Sequence, residues 1–176
     1  TDALARNDIA PSVAPGNPYL GMMLPYTPLH HLLMEKIDRP IVCTSGNLSE
    51  EPMATTTADA LERLGSTADL LLVHDRPIVR PVDDSVARLG SRGLQVLRRA
   101  RGYAPLPIPL SVAAECILAV GGHLKNTVGL TVGGQAVLSQ HVGDLDNLAS
   151  LDVHRRAIAD LVDFFQVRPR AVACDL

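Results

Sequence analysis

The sequence predicts a mixed α/β chain in two parts, and three observations carry that prediction. Val42-Cys43-Thr44-Ser45-Gly46-Asn47 is an apolar run that breaks into a small polar turn. Gly121-Gly122-His123-Leu124-Lys125-Asn126-Thr127 follows a second such run. Strand-to-turn junctions of this kind are where α/β proteins place groups that hold phosphate or nucleotide. Between them, Ala104-Pro105-Leu106-Pro107-Ile108-Pro109 has the composition of a stiff linker. The chain reads as two nucleotide-handling units in tandem.

The elements follow in order. Residues 1–18 carry Pro11, Pro15, Gly16 and Pro18 and read as loop. Thr27-Pro28 starts a helix, with Thr27 as N-cap and Pro28 at the first helical position. Leu29, Leu32, Leu33 and Ile37 give it an apolar face, and Arg39-Pro40 ends it. Residues 41–43 are a short buried strand. Thr57 caps a helix over 58–64 that Gly65 ends. Residues 70–73 are the next strand, and 74–85 are irregular. Two strands, 86–89 and 94–98, meet at a turn over 90–93.

After the prolines the pattern changes. Strands are expected at 117–120 and 128–132, then a tight Gly133-Gly134 turn. A third strand begins at 136–138 and ends near Val142. A helix covers 148–165, with Leu151, Ile158, Leu161, Val162 and Phe165 on one side. The last strand is 171–174. The order β-β-β-α-β is that with which the actin/Hsp70/sugar-kinase fold begins, although order alone is a weak warrant.

With 47% hydrophobic residues in 176, the chain can bury a core of one or two domains. The net charge of −3 comes without a polybasic tail or acidic block. Seven of the fourteen arginines lie between Arg76 and Arg101, opposed only by Asp83 and Asp84. That window carries +5 and the remainder −8. Arginine suits bidentate contacts to phosphate or carboxylate, or it simply makes a solvated surface. Cys43, Cys116 and Cys174 form no C-x-x-C pair and sit in apolar runs. They are expected to be reduced, buried thiols of an intracellular protein. No zinc motif, signal peptide or membrane-length apolar run is visible. The termini read as cut, as if from a longer protein.

Ser45 and Asn47 are two apart, so in an extended segment a hydroxyl and an amide face the same way and can grip a phosphate, ribose or carbonyl oxygen. An ordinary polar turn, with Asn47 bonded to its own backbone, is the reading these two residues alone favour. Asp83-Asp84 suits metal or acid–base chemistry, or else turn residues answering nearby arginines. His123 reads as an exposed turn residue. Of His30 and His31, on the first helical turn, one is expected to pack and one to be exposed.

Four stretches of the first part, Leu24-Pro25-Tyr26-Thr27-Pro28-Leu29-His30, Thr44-Ser45-Gly46-Asn47, Asp83-Asp84-Ser85-Val86 and Arg98-Arg99-Ala100-Arg101-Gly102-Tyr103, together resemble the YrdC-like domain of the HypF family of hydrogenase maturation carbamoyltransferases. Gly121-Gly122-x-Leu124-Lys125-Asn126-Thr127 and Leu138-Ser139-Gln140-His141-Val142-Gly143-Asp144-Leu145 resemble the start of that family's TsaD-like domain, which has the actin/Hsp70 fold. The resemblance spans residues 19–176. It implies a YrdC-like portion over 1–108, a linker over 109–115 and a TsaD-like portion over 116–176.

The resemblance further implies a cytoplasmic enzyme of [NiFe]-hydrogenase maturation. Its acylphosphatase-like domain releases carbamate from carbamoyl phosphate. Its YrdC-like domain joins carbamate to ATP with Mg2+, giving carbamoyl adenylate and pyrophosphate. Its TsaD-like domain passes the carbamoyl group to the C-terminal cysteine of the partner HypE. Ser45 and Asn47 match the element that holds nucleotide. Arg98 and Arg99 match the basic element that meets phosphate or the acyl adenylate. Lys125, Asn126 and Thr127 lie on the second domain's phosphate turn. His141 and Asp144 line the transfer site as candidate catalytic residues. Zinc is expected only in parts of such a protein outside this chain. With half of each of two active sites, these residues alone are not expected to be catalytically competent. A small-molecule O-carbamoyltransferase of the same two-domain type, an RNA-binding YrdC-like module and an inactive scaffold are the alternatives. The paucity of aromatics argues against RNA.

Overall fold

A computed structural model of the chain describes residues 9–49, 51–112 and 114–175. Ala113, inside the expected linker, and Leu176 lie outside them. The backbone forms two units, one running up to Thr44 and one starting at Ser45.

In the first unit a short 3-10 turn, Pro11–Val13, precedes helix α1, Pro28–Ile37. The Thr27 hydroxyl accepts the His30 N–H at 3.2 Å, and Pro28 occupies the first turn, where its missing N–H costs nothing. Asp38, at φ 50°, ends the helix and returns its N–H to the Met34 carbonyl at 2.9 Å. His30 is half-buried, edge-on to Tyr26 with ring centroids 4.8 Å apart, and His31 is exposed.

Two expected strands are absent. Residues 41–43 and 70–73 have no regular structure, and Val42 and Leu70 are 79% and 92% exposed. An apolar run becomes a strand only when a neighbour takes its backbone N–H and C=O groups, and no described residue does so here. The expectation of three buried thiols fails as well: Cys43 lies in one of these unpaired runs, and Cys116 and Cys174 flank the short strands Ile117–Ala119 and Ala171–Ala173. Cys43 and Cys174 are exposed and Cys116 is half-buried; all three are free.

The second unit opens with helix α2, Thr57–Leu64. Its N-cap is Thr56, one residue earlier than expected, whose hydroxyl accepts the Asp59 N–H at 3.1 Å. Strands β1 (Val86–Gly90) and β2 (Gly93–Arg98) form an antiparallel hairpin. Ile108–Pro109, expected to be linker, forms β3, an edge strand paired with β6. Proline is tolerated at a sheet edge because no neighbour needs its missing N–H.

The remaining strands are β4 (Ile117–Ala119), β5 (Gly129–Val132), β6 (Gln135–Leu138) and β7 (Ala171–Ala173). Helix α3, Leu148–Phe165, lies between β6 and β7 in sequence. The five-stranded sheet has the order β3-β6-β5-β4-β7, antiparallel except for β4 with β7. The expected mixed α/β fold with its β-β-β-α-β run is present. Gly133 and Gly134, at φ +57° and +76°, form the two-residue turn whose twist suits a hairpin.

The apolar core lies under this sheet. Leu118, Val128, Leu130, Val137, Ala157 and Leu161 are buried together, with Ile158 and Phe165 packed against them. Three contacts join residues 80–99 to the sheet and α3. Gln140 Nε2 donates to the Pro81 carbonyl at 3.0 Å, and the His141 N–H to that of Arg99 at 2.9 Å. Arg80 pairs with Asp160 at 2.9 Å. Among the described residues no helix is long and apolar enough to cross a membrane.

Candidate functional site

The Ser45–Asn47 turn is held locally. The Asn47 N–H donates to the Ser45 carbonyl at 3.1 Å, and the Ala54 N–H to that of Gly46 at 3.0 Å. The Asn47 amide also donates to the Leu48 carbonyl at 2.8 Å. Asn47 thus makes the local bond of a polar turn while its side chain faces a cleft.

The second turn is tighter. Gly121 sits at φ +72°, and a Cβ there would lie 2.7 Å from Asn126 Nδ2 and 2.8 Å from the Thr127 carbonyl oxygen. Only glycine meets both demands. Asn126 is 1% exposed and acts as a brace. Its amide donates to the Val120 and Gly122 carbonyls at 2.9 and 2.6 Å, and its backbone exchanges bonds with Val142 and Gly143. That brace fixes Lys125 in the left-handed region, at φ 51°. The Lys125 backbone N–H and ammonium donate to the two oxygens of Asp144, each at 2.6 Å. Both bonds hold the Asp144 carboxyl below the usual carboxylate range. A backbone N–H and an ammonium converging on two oxygens make an oxyanion cradle, occupied here by the protein's own carboxylate.

These groups meet in one cleft of about 300 Å3. Ser45, Asn47 and Arg98 line it from the first part of the sequence, and Lys125, His141 and Asp144 from the second. Pro52, Pro81 and Val153 add apolar wall, and Glu51, paired with Arg63 at 2.9 Å, lies at its edge. His141 titrates below its ordinary value. Burial is the main cause, followed by the Arg98 charge; Lys125 adds to it, while Asp83 and Asp144 oppose. Its ring is therefore neutral at physiological pH.

Three expected site residues are placed elsewhere. Arg99 is half-buried, with Nη2 donating to the Leu106 carbonyl at 2.8 Å, and it lines neither this cleft nor the one beside it. Asn126 and Thr127 lie behind the turn rather than on the cleft. His123 is exposed and bonds Asp146 at 2.7 Å. The adjoining cleft, about 800 Å3, shares Pro81 and Val153 but is lined by none of the nine expected residues.

The paired aspartates divide. Asp84 meets Arg101 at 3.5 Å, and the Ser85 hydroxyl accepts the Ala100 N–H and donates to the Arg101 carbonyl, both at 2.8 Å. Asp83 lines the cleft, a placement that the run of charges in the sequence left unassigned. Among the described residues no group of three or more His, Cys, Asp or Glu side chains is placed to hold a metal ion.

A family model described as "Telomere recombination" (Sua5/YciO/YrdC) matches residues 2–100, and one described as "HypF Kae1-like domain" matches 112–176. The two matches define a YrdC-like part followed by a Kae1-like part. The chain is 49% identical over 166 residues to the carbamoyltransferase HypF of Synechocystis sp., and 45% identical over 175 residues to that of Rhodobacter capsulatus. Those alignments cover 94% and 98% of this chain, and 22% and 23% of the relatives. A solved structure described as full-length HypF in the phosphate- and nucleotide-bound form superposes with a TM-score of 0.83 at 48% identity, over 89% of this chain and 25% of that one. The chain belongs to the HypF family, and it spans about a fifth to a quarter of the length of these relatives.

Proposed function

We propose that the chain supplies the acyl-nucleotide cleft of a cytoplasmic HypF-type carbamoyltransferase. Residues 1–108 then act as the YrdC-like portion, 109–115 as the linker and 116–176 as the start of the second, actin/Hsp70-like portion. The observation that carries the reading is that groups from both portions face one cleft.

A carbamate oxygen attacks the α-phosphorus of ATP. The bond to the β-phosphate oxygen breaks, and pyrophosphate leaves with the electron pair. Arg98, Ser45 and Asn47 supply fixed donors to the phosphoryl oxygens as charge builds on them. Lys125, poised by Asp144, offers its N–H and ammonium to an oxyanion that displaces the carboxylate. In the second step the sulfur of the C-terminal cysteine of HypE attacks the carbamoyl carbon, and AMP leaves. The thiol proton passes to a base, for which the neutral His141 ring is suited.

The test is carbamate-dependent ATP–pyrophosphate exchange by a full-length HypF bearing this segment. Replacing Ser45→Ala together with Asn47→Ala is expected to reduce exchange by about 100-fold or more, the usual cost of removing fixed oxyanion donors. Unchanged exchange would remove these two residues from the site.

A further inference from the structure

Arg63 lines neither cleft, yet it holds the wall that carries Ser45 and Asn47. The chain leaves the Ser45–Asn47 turn and comes back to it, where the Ala54 N–H donates to the Gly46 carbonyl at 3.0 Å. From this loop Ser45, Asn47, Glu51, Pro52 and Met53 face the cleft of about 300 Å3. Helix α2 holds the loop at two points. The first is apolar: a Cβ on Gly46 would lie 3.7 Å from Leu64 Cδ1, so the turn rests on that side chain in ordinary contact. The second is the Arg63 guanidinium. Its Nη2 donates to the Pro52 carbonyl at 2.6 Å and meets Glu51 Oε2 at 2.9 Å. Its Nη1 lies 3.1 Å from each oxygen of Asp59, one turn earlier on the same helix, which aims the fork at the loop.

The Arg63 side chain is only 21% exposed, and its Nε is buried. Charged hydrogen bonds made in such a partly desolvated place are among the stronger ones. Residues 45–49 and 51–54 contain no helix or strand, and a loop of that kind opens at low cost unless something ties it. Glu51 adds a second consequence, because a free carboxylate on the cleft repels phosphate. We propose that Arg63 is the positioning residue of this wall: its guanidinium fixes the 45–54 loop on α2 so that Ser45 and Asn47 meet the phosphoryl oxygens, and it engages the Glu51 carboxylate that would otherwise repel them. This rests on the function proposed above. Lysine carries the charge without the fork, so it cannot serve Pro52, Glu51 and Asp59 together.

The experiment measures ATP–pyrophosphate exchange by a full-length HypF bearing this segment, with ATP varied at saturating carbamate. Arg63→Met keeps the aliphatic stem and removes the fork. It is expected to raise KM for ATP by about tenfold or more, the worth of a hydrogen bond to a charged group, and Arg63→Lys falls between. Adding Glu51→Gln to Arg63→Met is expected to recover about threefold or more of that loss. The same substitution gains less in the parent, because there Arg63 already neutralises the carboxylate. A merely structural Arg63 would lower the active fraction, and with it kcat, at unchanged KM, and Glu51→Gln would restore nothing. An unchanged KM for ATP, or no recovery by Glu51→Gln, overturns the assignment while leaving the proposed function standing. If Arg63→Met does not fold, Arg63→Lys decides: a raised KM for ATP supports the assignment and an unchanged one overturns it. Absence of carbamate-dependent exchange in the unsubstituted protein overturns both.

Discussion

At the scale of single residues, His141 joins placement to titration. It faces Arg98, Lys125, Asp83 and Asp144, and the balance of burial and charge keeps its ring neutral. A histidine whose folded pKa lies below its unfolded value takes up protons more readily when unfolded. Its contribution therefore costs no stability above the unfolded pKa. Stability is lost as pH falls from there toward the folded pKa, and the loss then levels off. Replacing His141→Gln removes that penalty. Thermal melts of the protein at about pH 7.5 and about pH 5.5, which bracket the ordinary histidine pKa, should show a smaller drop in Tm for the variant than for the parent. An equal drop would mean that His141 does not sense this set of charges. Ser45, Asn47 and Lys125, singled out in the sequence as polar and basic groups of strand-to-turn junctions, line the cleft. Arg99, Asn126 and Thr127 entered as members of motifs shared with the resembled family, and a motif does not tell which of its side chains reach a cleft. Asn126 spends its donors on the Val120 and Gly122 carbonyls.

At the scale of elements, the turn between β4 and β5 depends on Gly121. Its positive φ and the atoms 2.7 and 2.8 Å from an added Cβ leave no room for a side chain. Gly121→Ala is expected to destabilise the second unit by about 1–3 kcal/mol through backbone strain and steric displacement of the Asn126 brace. Urea unfolding followed by circular dichroism measures it, and a cost below about 0.5 kcal/mol, the level of a neutral surface change, would contradict the brace. Elements that carry their own hydrogen bonds were readable. Helix α3 has the expected bounds because its apolar spacing and the Asn147 cap agree. The Asn147 Oδ1 accepts the Ser150 N–H at 2.9 Å, and Ser150 answers across a capping box. Strands depend on partners distant in sequence, so 41–43 and 70–73 carried the pattern without forming the structure. In the run Thr55-Thr56-Thr57, composition alone could not choose the cap.

At the scale of the molecule, the cleft lies where segments about 80 residues apart converge. The links from residues 80–99 to Gln140, His141 and Asp160 carry that convergence. The sequence displayed both sets of polar groups and suggested that they serve one ligand, while the backbone bonds that bring them together, such as His141 to Arg99, leave no composition signal. The most direct measurement is calorimetric titration of a full-length HypF bearing this segment with 5′-O-(N-carbamoylsulfamoyl)adenosine, a non-hydrolysable mimic of carbamoyl adenylate whose acylated sulfamate nitrogen carries the negative charge. Each of Arg98→Ala and Lys125→Ala should weaken binding by about tenfold or more, the worth of a charge-assisted contact. If Arg98→Ala alone weakens it and Lys125→Ala leaves Kd unchanged, the two portions do not share one ligand and the account fails.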